Sequence, residues 1–231
     1  MKLTYKLFDT QKRVLENFFK KYNVEYKIVE NDGDFTVIIN QGEISNNDFD
    51  LFNKDFLTTF YKNVYAEEEI SLEEQLVKIL TVQNKTISVA ESFTGGLLAS
   101  KITSVSGASK VFYEGIVAYS IQAKMKRLKV KKQTLDSFQA VSGQVAYEMA
   151  YGLMQEKQVD FVISTTGIAG PNSDDSNFPV GLCYIAVGGE KKIKACKFNF
   201  KGDRSQIVKQ GVKYALFLAI KELRNPHFNV V

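Results

Sequence analysis

Apolar residues in the first third of the chain recur at spacings typical of a small α/β unit. Two stretches place them on one face of a helix: Val14, Leu15, Phe18 and Phe19, then Phe49, Leu51, Phe52, Phe56 and Phe60. Asp9 or Thr10 stands where the first helix needs an N-cap. Between the helices, residues 25–30 and 35–40 are rich in β-branched and aromatic residues. They flank an Asn-Asp-Gly-Asp turn, which predicts a β-hairpin.

The remainder of the chain alternates between short apolar runs and amphipathic stretches, which predicts strands separated by helices. The apolar runs that we interpret as strands are residues 86–90, 114–120, 160–166, 180–188 and 192–200. We interpret five stretches as helices. Three are residues 95–103, 121–128 and 204–223. The other two begin with caps: a Ser71–Glu74 capping box opens a helix that carries Leu72, Leu76, Ile79 and Leu80, and Ser142 caps a helix that carries Val145, Met149, Leu153 and Met154.

This alternation predicts an α/β fold with a helix-covered, mainly parallel sheet and a late antiparallel piece. An acidic stretch near residues 66–70 divides it from the first unit. We therefore predict a small α/β domain at residues 1–68 and a larger domain at residues 69–231.

Composition restricts the chemistry that the chain can perform. The chain has 231 residues, of which 45% are hydrophobic and 24% charged, as in an ordinary globular protein. Its two cysteines, Cys183 and Cys196, lie in separate apolar stretches and are expected to be buried free thiols. The single histidine, His227, stands close to the end of the chain. A Ser-His-Asp triad and a histidine-based metal site are therefore disfavoured, and we expect no metal and no other cofactor.

Charge and hydropathy indicate which classes of binding partner to expect. The first residues lack the apolar core of a signal peptide, and no apolar run approaches the roughly 20 residues of a membrane span, so we expect a cytoplasmic protein without membrane contact. Residues 1–70 carry 9 Lys/Arg and 13 Asp/Glu, a net charge of −4, whereas the rest carries 21 and 13, a net charge of +8. The basic part suits an anionic small molecule, and the acidic part disfavours nucleic acid. The same balance would also keep a surface solvated.

The segment Ala90-Glu91-Ser92-Phe93-Thr94-Gly95-Gly96 carries the first chemical signal, because it joins a predicted strand to a predicted helix. Such a turn presents side chains at the carboxyl edge of a sheet, where α/β proteins form their sites. Ser92 is placed to act as a nucleophile, with free helix amides beside it to stabilise an oxyanion. The alternative is that Ser92 or Thr94 only caps the helix.

Three later segments each allow a functional and a structural interpretation. Lys124 follows a predicted strand and, if buried, loses its proton near neutral pH; a solvated surface lysine is the alternative. Residues 164–171 form a glycine-containing loop whose amides can hold an anion, or a plain turn. Arg204 opens the last predicted helix, where it is placed to bind phosphate or to lie on the surface of a capped helix.

Taken in order, these segments resemble the CinA C-terminal domain family, the nicotinamide mononucleotide amidohydrolases of the PncC type. The motifs that carry the resemblance are VAESFTGG, SKVFYEGIVAYSIQAK, AVSGQVAYEMA, TTGIAGP, PVG and GDR, and they span roughly residues 71–223. The chain departs from the family pattern at Phe93, at Ile121 and Gln122, and at residues 172–173.

The resemblance implies a serine hydrolase that converts nicotinamide mononucleotide to nicotinate mononucleotide and ammonia. It makes Ser92 the nucleophile, Lys124 the base and Tyr119 an assisting hydroxyl. The residues that it implies for substrate binding are Thr94, Gly95, Gly96, Thr166, Gly167, Ala169, Gly170 and Arg204. The competing hypothesis is a catalytically degenerate nucleotide-binding or regulatory protein of the competence-damage-inducible type.

The first domain resembles the small KH-like domain that precedes the amidohydrolase domain in full-length CinA proteins, whereas their large nucleotide-binding domain has no room in this chain. A KH domain that binds nucleic acid uses a GxxG loop, and residues 1–70 contain only Gly33 and Gly42. We therefore expect a packing or dimerisation unit, a homo-oligomer such as a dimer, and no nucleic-acid partner.

Overall fold

The computed structural model describes residues 1–155, 158–173 and 178–224. The chain divides into two compact units, Met1–Ser71 and Leu72–Val231. Within the described ranges, no helix has both the length and the apolar composition that crossing a bilayer requires.

The first unit is an antiparallel sheet covered by two helices. In chain order its elements are β1 (Lys2–Phe8), α1 (Lys12–Phe19), β2 (Glu25–Asn31), β3 (Asp34–Asn40), α2 (Asn46–Thr59) and β4 (Val64–Ala66). The strands lie in the order β2-β3-β1-β4. The predicted hairpin is confirmed: Asp32 and Gly33 join β2 to β3 with φ of 52° and 80°, the backbone of a tight primed turn.

Some details of the first unit differ from the prediction. Strands β1 and β4 are not among the predicted elements. In β1, apolar residues alternate with polar ones over only seven residues, a pattern too short to stand out from the charged sequence around it. Neither Asp9 nor Thr10 caps α1; its N-cap is Gln11, which makes no side-chain capping bond. Val14 and Leu51 are 48% and 66% exposed, because each lies on the outer face of its helix rather than in the core.

The second unit is a five-stranded sheet with helices on it. In chain order its elements are α3 (Leu72–Val82), β5 (Ile87–Glu91), α4 (Leu97–Thr103), a short 3₁₀ turn at Ala108–Lys110, β6 (Phe112–Val117), α5 (Ile121–Leu128), α6 (Lys132–Phe138), α7 (Gly143–Met154), β7 (Phe161–Gly167), β8 (Leu182–Gly189), β9 (Lys192–Asn199) and α8 (Arg204–Arg224). The strand order is β6-β5-β7-β8-β9.

The pairing confirms the predicted α/β class. Strands β6, β5 and β7 are parallel, and β8 and β9 add antiparallel to one edge. Ser142 caps α7 by accepting a hydrogen bond from the amide of Val145, as predicted. Strand β6 begins and ends earlier than predicted, and α6 is an additional helix. The carboxyl ends of β5, β6 and β7 therefore meet at one edge of the sheet, and the candidate site is built there.

Candidate active site

The turn after β5 holds Ser92 in place. Its amide donates to the carbonyl of Thr165 on the neighbouring β7 over 3.0 Å. Gly95 and Gly96 follow with φ of 61° and 98°, a left-handed backbone that glycine adopts without strain. Gly96 is the N-cap residue of α4. The structural alternative from the sequence, in which Ser92 or Thr94 caps this helix, is therefore wrong.

Lys124 lies beside Ser92 in the interior of the unit. The Nζ atom of Lys124 is 2.9 Å from the Oγ atom of Ser92. Lys124 is 2% exposed and Ser92 is 8% exposed. Lys124 reaches this position from the first turn of α5, whose N-cap Ser120 accepts a hydrogen bond from the amide of Ala123. The solvated surface lysine considered from the sequence is therefore also wrong.

Burial shifts the protonation equilibrium of Lys124 towards the neutral form. Its Nζ also donates to the carbonyls of Ala118 and Tyr119, over 2.9 and 3.3 Å. Burial lowers the pKa of Lys124 from the ordinary 10.5 to about 8. A neutral amine has two N–H bonds and one lone pair. In that form the two carbonyls accept the N–H bonds and the lone pair faces the hydroxyl of Ser92, whereas in the ammonium the same three oxygens accept three N–H bonds.

The carboxylate of Glu91 binds the amides at the start of α4, which the sequence predicted would stabilise an oxyanion. Its fully buried carboxylate accepts hydrogen bonds from the amides of Gly96, Leu98 and Ala99, over 2.9, 3.1 and 2.8 Å. The start of α4 is therefore not free to bind a developing negative charge, contrary to the prediction. The same bonds make Glu91 an anchor of α4, a role for which its place just before Ser92 gave no signal.

The amides next to the nucleophile remain available. Across the described residues, no protein group accepts a hydrogen bond from the amide of Phe93 or of Thr94. The side chain of Thr94 is instead fixed by a 2.7 Å contact between its hydroxyl and that of Thr165, and both side chains are buried. Thr165 was not among the predicted site residues. Its strand pairs it directly with Glu91, a register that the sequence did not reveal.

Arg204 joins two other parts of the predicted site. Its guanidinium donates to the carbonyl of Gly170 and to the hydroxyl of Tyr119, each over 2.8 Å. Lys124 thus contacts the carbonyl of Tyr119, while the hydroxyl of this residue contacts Arg204. The start of α8 is a capping box, in which the side chain of Asp203 accepts from the amide of Gln206 and the side chain of Gln206 accepts in return.

Part of the loop after β7 is held by hydrogen bonds and packing contacts within the unit. Thr166 is buried and donates its hydroxyl to the carbonyl of Ala140. Gly167 ends β7, where a methyl group would lie 2.5 Å from the sulfur of Cys183. The amide of Ile168 donates to the carbonyl of Leu182, so it is not free to cradle an anion. Ala169 is buried beside Gly170, whose φ is 78°.

Both thiols are free, and burial raises the pKa of Cys183 to about 12. Cys196 is only partly buried, contrary to the prediction, because side chains on its edge strand alternate in exposure. His227 lies outside the described residues. Within those residues, no group of three His, Cys, Asp or Glu side chains is placed to hold a metal. A metal-free site stays a prediction, which exhaustive chelation would test.

The fold and the site define the chain as an α/β protein with a buried serine–lysine pair at the carboxyl edge of parallel strands. A model of the CinA C-terminal domain matches residues 69–223. The chain therefore belongs to the CinA C-terminal domain family.

Known proteins agree with this assignment. The chain is 47% identical over 154 residues to a putative competence-damage inducible protein of Clostridium kluyveri, covering 67% of this chain and 38% of that protein. It is 48% identical over 153 residues to a CinA-like protein of Kosmotoga olearia, covering 66% and 37%. The chain thus spans less than two fifths of these curated relatives.

Solved structures share the fold over about two thirds of this chain. A CinA superfamily protein of Escherichia coli superposes with a TM-score of 0.62 at 33% identity, covering 64% of this chain and 87% of that one. A competence/damage inducible protein of Agrobacterium tumefaciens superposes with a TM-score of 0.63 at 32% identity, covering 69% and 100%.

Proposed function

We propose that the chain hydrolyses the carboxamide of nicotinamide mononucleotide to nicotinate mononucleotide and ammonia. The observation that carries the proposal is the 2.9 Å contact between Nζ of Lys124 and Oγ of Ser92 inside the unit. A buried hydroxyl beside a lysine with a lowered pKa is an activated nucleophile. The family resemblance supplies the substrate, and its proposed nucleophile, base, tyrosine and arginine are all present in this chain.

In the first half of the reaction, neutral Lys124 takes the proton of Ser92 while Oγ forms a bond to the carboxamide carbon. The carbonyl electrons move to oxygen, and the amides of Phe93 and Thr94 are the donors proposed to bind this oxyanion. The Lys124 ammonium then returns the proton to the nitrogen of the substrate. The carbon–nitrogen bond breaks, ammonia leaves, and an ester of Ser92 remains.

In the second half, neutral Lys124 takes a proton from water, and the hydroxide oxygen adds to the ester carbon. Collapse of this intermediate breaks the bond to Oγ, which recovers its proton from Lys124. The product is a carboxylic acid that ionises in solution. One water is consumed, and both catalytic side chains return to their starting state, so no metal or redox group takes part in this scheme.

The phosphate of the substrate is assigned to Arg204. A guanidinium offers several donors in one plane, which suits phosphate oxygens, and the hydroxyl of Tyr119 already lies against it. Tyr119 is 59% exposed, so it stands at the solvent side of the buried pair. In this scheme Tyr119 and Arg204 hold the nucleotide while Ser92 and Lys124 act on its carboxamide.

A regulatory or binding role is the competing function, because the relatives carry names that refer to competence and damage rather than to a reaction. Such a role does not require Lys124 to be buried against a hydroxyl. Burying an ammonium costs free energy, and an apolar side chain would fill the same space without that cost. The buried pair therefore favours the enzyme.

Ammonia release from nicotinamide mononucleotide tests the proposal. Ser92→Ala is expected to lower the rate by about 10³-fold or more, as loss of a nucleophile does elsewhere. Ser88→Ala is the matched control, since Ser88 is a buried serine of the same strand whose hydroxyl has no partner among the described residues. It should keep wild-type turnover. Full activity in Ser92→Ala, or no ammonia from the wild type, would contradict the proposal.

A further inference from the structure

The residue after the nucleophile is in close contact with the last helix. Phe93 is 4% exposed, and its ring lies against Gly211 in the interior of α8. A methyl group at position 211 would lie 2.4 Å from Cζ and 2.6 Å from Cε2 of Phe93. Carbon atoms in contact are normally about 3.5–4.0 Å apart, so the ring occupies the space of the missing side chain.

Glycine is an unfavourable choice at this position unless the contact matters. Gly211 is buried within a 21-residue helix, where glycine is the poorest residue after proline. Its neighbours Val212, Ala215 and Leu216 are ordinary buried helix residues. The close approach of Phe93 gives a physical reason for glycine here, since no residue with a Cβ leaves room for the ring.

The clash that a methyl group would create is not relieved by rotating the ring. Cζ lies on the axis of the χ2 torsion of Phe93, so turning the ring about that torsion leaves Cζ in place. The ring moves away only through χ1 or through the backbone of residue 93. That backbone is the centre of the turn closed by the hydrogen bond from the amide of Gly95 to the carbonyl of Ser92, 3.1 Å long.

We infer that Gly211 is a positioning residue for the nucleophile. Gly211 leaves space for the ring of Phe93, and this lets residues 92–95 adopt the turn that holds Oγ of Ser92 at 2.9 Å from Nζ of Lys124. Gly211 touches Phe93 and is not proposed to touch substrate, so it acts on the reaction only through the turn. The inference rests on the proposed function in one respect, which is that Ser92 is the reacting group.

The test is a pair of substitutions with a rescue. Gly211→Ala is expected to lower kcat and the rate at which a fluorophosphonate labels Ser92 by roughly 10- to 100-fold, the cost of misplacing a reacting group by about 1 Å, and to leave KM unchanged. Phe93→Leu removes the ring atoms that clash, so Phe93→Leu/Gly211→Ala should recover most of the rate of Phe93→Leu. Lys209→Ala, on the exposed side of the same helix, should behave as wild type.

A second substitution covers the case in which Gly211→Ala does not fold. Phe93→Tyr places an oxygen on Cζ, the atom nearest Gly211, and should slow labelling in the same direction without altering α8. Three results would each overturn the positioning role and leave the proposed function standing. They are a wild-type labelling rate in Gly211→Ala, a wild-type labelling rate in Phe93→Tyr, and a double variant that is no faster than Gly211→Ala. A wild-type protein that neither labels at Ser92 nor releases ammonia would instead overturn the proposed function.

Discussion

The two units bury different kinds of side chain. In Met1–Ser71, the core is apolar and rich in aromatic rings, and Thr36 is the one buried residue in the polar class. In the described part of Leu72–Val231, buried polar residues are frequent, among them Glu91, Ser92, Thr94 and Lys124. Several of these lie where β5 and β7 end.

This difference separates the requirements of folding from those of chemistry. An apolar core supplies stability at little cost, whereas each buried polar group must be desolvated and then satisfied by partners. Groups that carry such a cost and cluster at one edge of a sheet are candidates for function. Substitutions in the second unit are therefore expected to change activity, whereas substitutions in the core of the first unit are expected to change stability alone.

The largest stability effect is expected in the aromatic core. The ring of Phe56 is fully buried and contacts those of Tyr5, Phe18, Phe19, Phe52 and Phe60. Phe56→Ala should lower the free energy of unfolding of the first unit by about 3–5 kcal/mol. Hydrogen exchange of β1 and β3 would measure it, with Ser92 labelling unchanged. Equal loss of protection in β5 and β7 would show that the two cores are not independent.

Replacing the buried lysine should raise the free energy of unfolding rather than lower it. With a folded pKa of about 8 and an unfolded value of 10.5, the unfolded chain binds the extra proton between these pH values, so stability rises with pH across that window. The cost of the buried charge is complete below pH 8, and Lys124→Met removes it. The variant should be more stable at pH 7 by up to about 3 kcal/mol, and inactive.

Denaturant unfolding at pH 7 and at pH 10.5 would check this. The advantage of Lys124→Met should shrink at the higher pH, where wild-type Lys124 is neutral in the folded state and only half protonated in the unfolded chain. An advantage that is independent of pH would attribute the effect to packing rather than to charge.

A smaller effect is expected at the rim of the site. Arg204→Ala should weaken kcat/KM for nicotinamide mononucleotide by roughly 10- to 100-fold, since a hydrogen bond to a charged group contributes about 1.5–3 kcal/mol. The phosphate-free riboside should lose far less. Similar losses for both substrates would assign Arg204 a structural role through Tyr119 and Gly170.

Helix caps give the smallest contrast. Ser45 caps α2 in the first unit, and Ser142 caps α7 in the second. Each Ser→Ala substitution should cost about 1 kcal/mol in its own unit. Hydrogen exchange of the capped helix would measure each loss. Loss of protection in the other unit's helix would contradict separate cores.

Much of the second unit could be predicted from the sequence because its elements are periodic and α5, α7 and α8 begin with side-chain caps. The helix at residues 121–128 was predicted with its observed bounds, and Ser142 was identified as a cap. Strand β1 was not, although Leu3, Tyr5 and Leu7 alternate as a strand requires. Short charged strands gain their stability from pairing with β3 and β4, which local sequence does not show.

The site was predictable in its residues but not in all of its bonds. The motifs placed Ser92 and Lys124 at the ends of neighbouring strands, and the structure brings them into contact. The use of the α4 amides by Glu91 depends on a tertiary arrangement, as does the contact of Phe93 with Gly211. Neither residue pair has a sequence spacing that indicates contact.

The central claim is that Lys124 serves as the base for Ser92, and the pH dependence of kcat/KM for ammonia release tests it most directly. The rate should rise with pH through a single group with a midpoint near 8 and then level off, because only neutral Lys124 accepts the proton. Lys124→Arg keeps the positive charge but does not release its proton in this range, so it should be as inactive as Lys124→Ala. A rate that is flat from about pH 6 to pH 9, or substantial turnover in Lys124→Arg, would contradict the account.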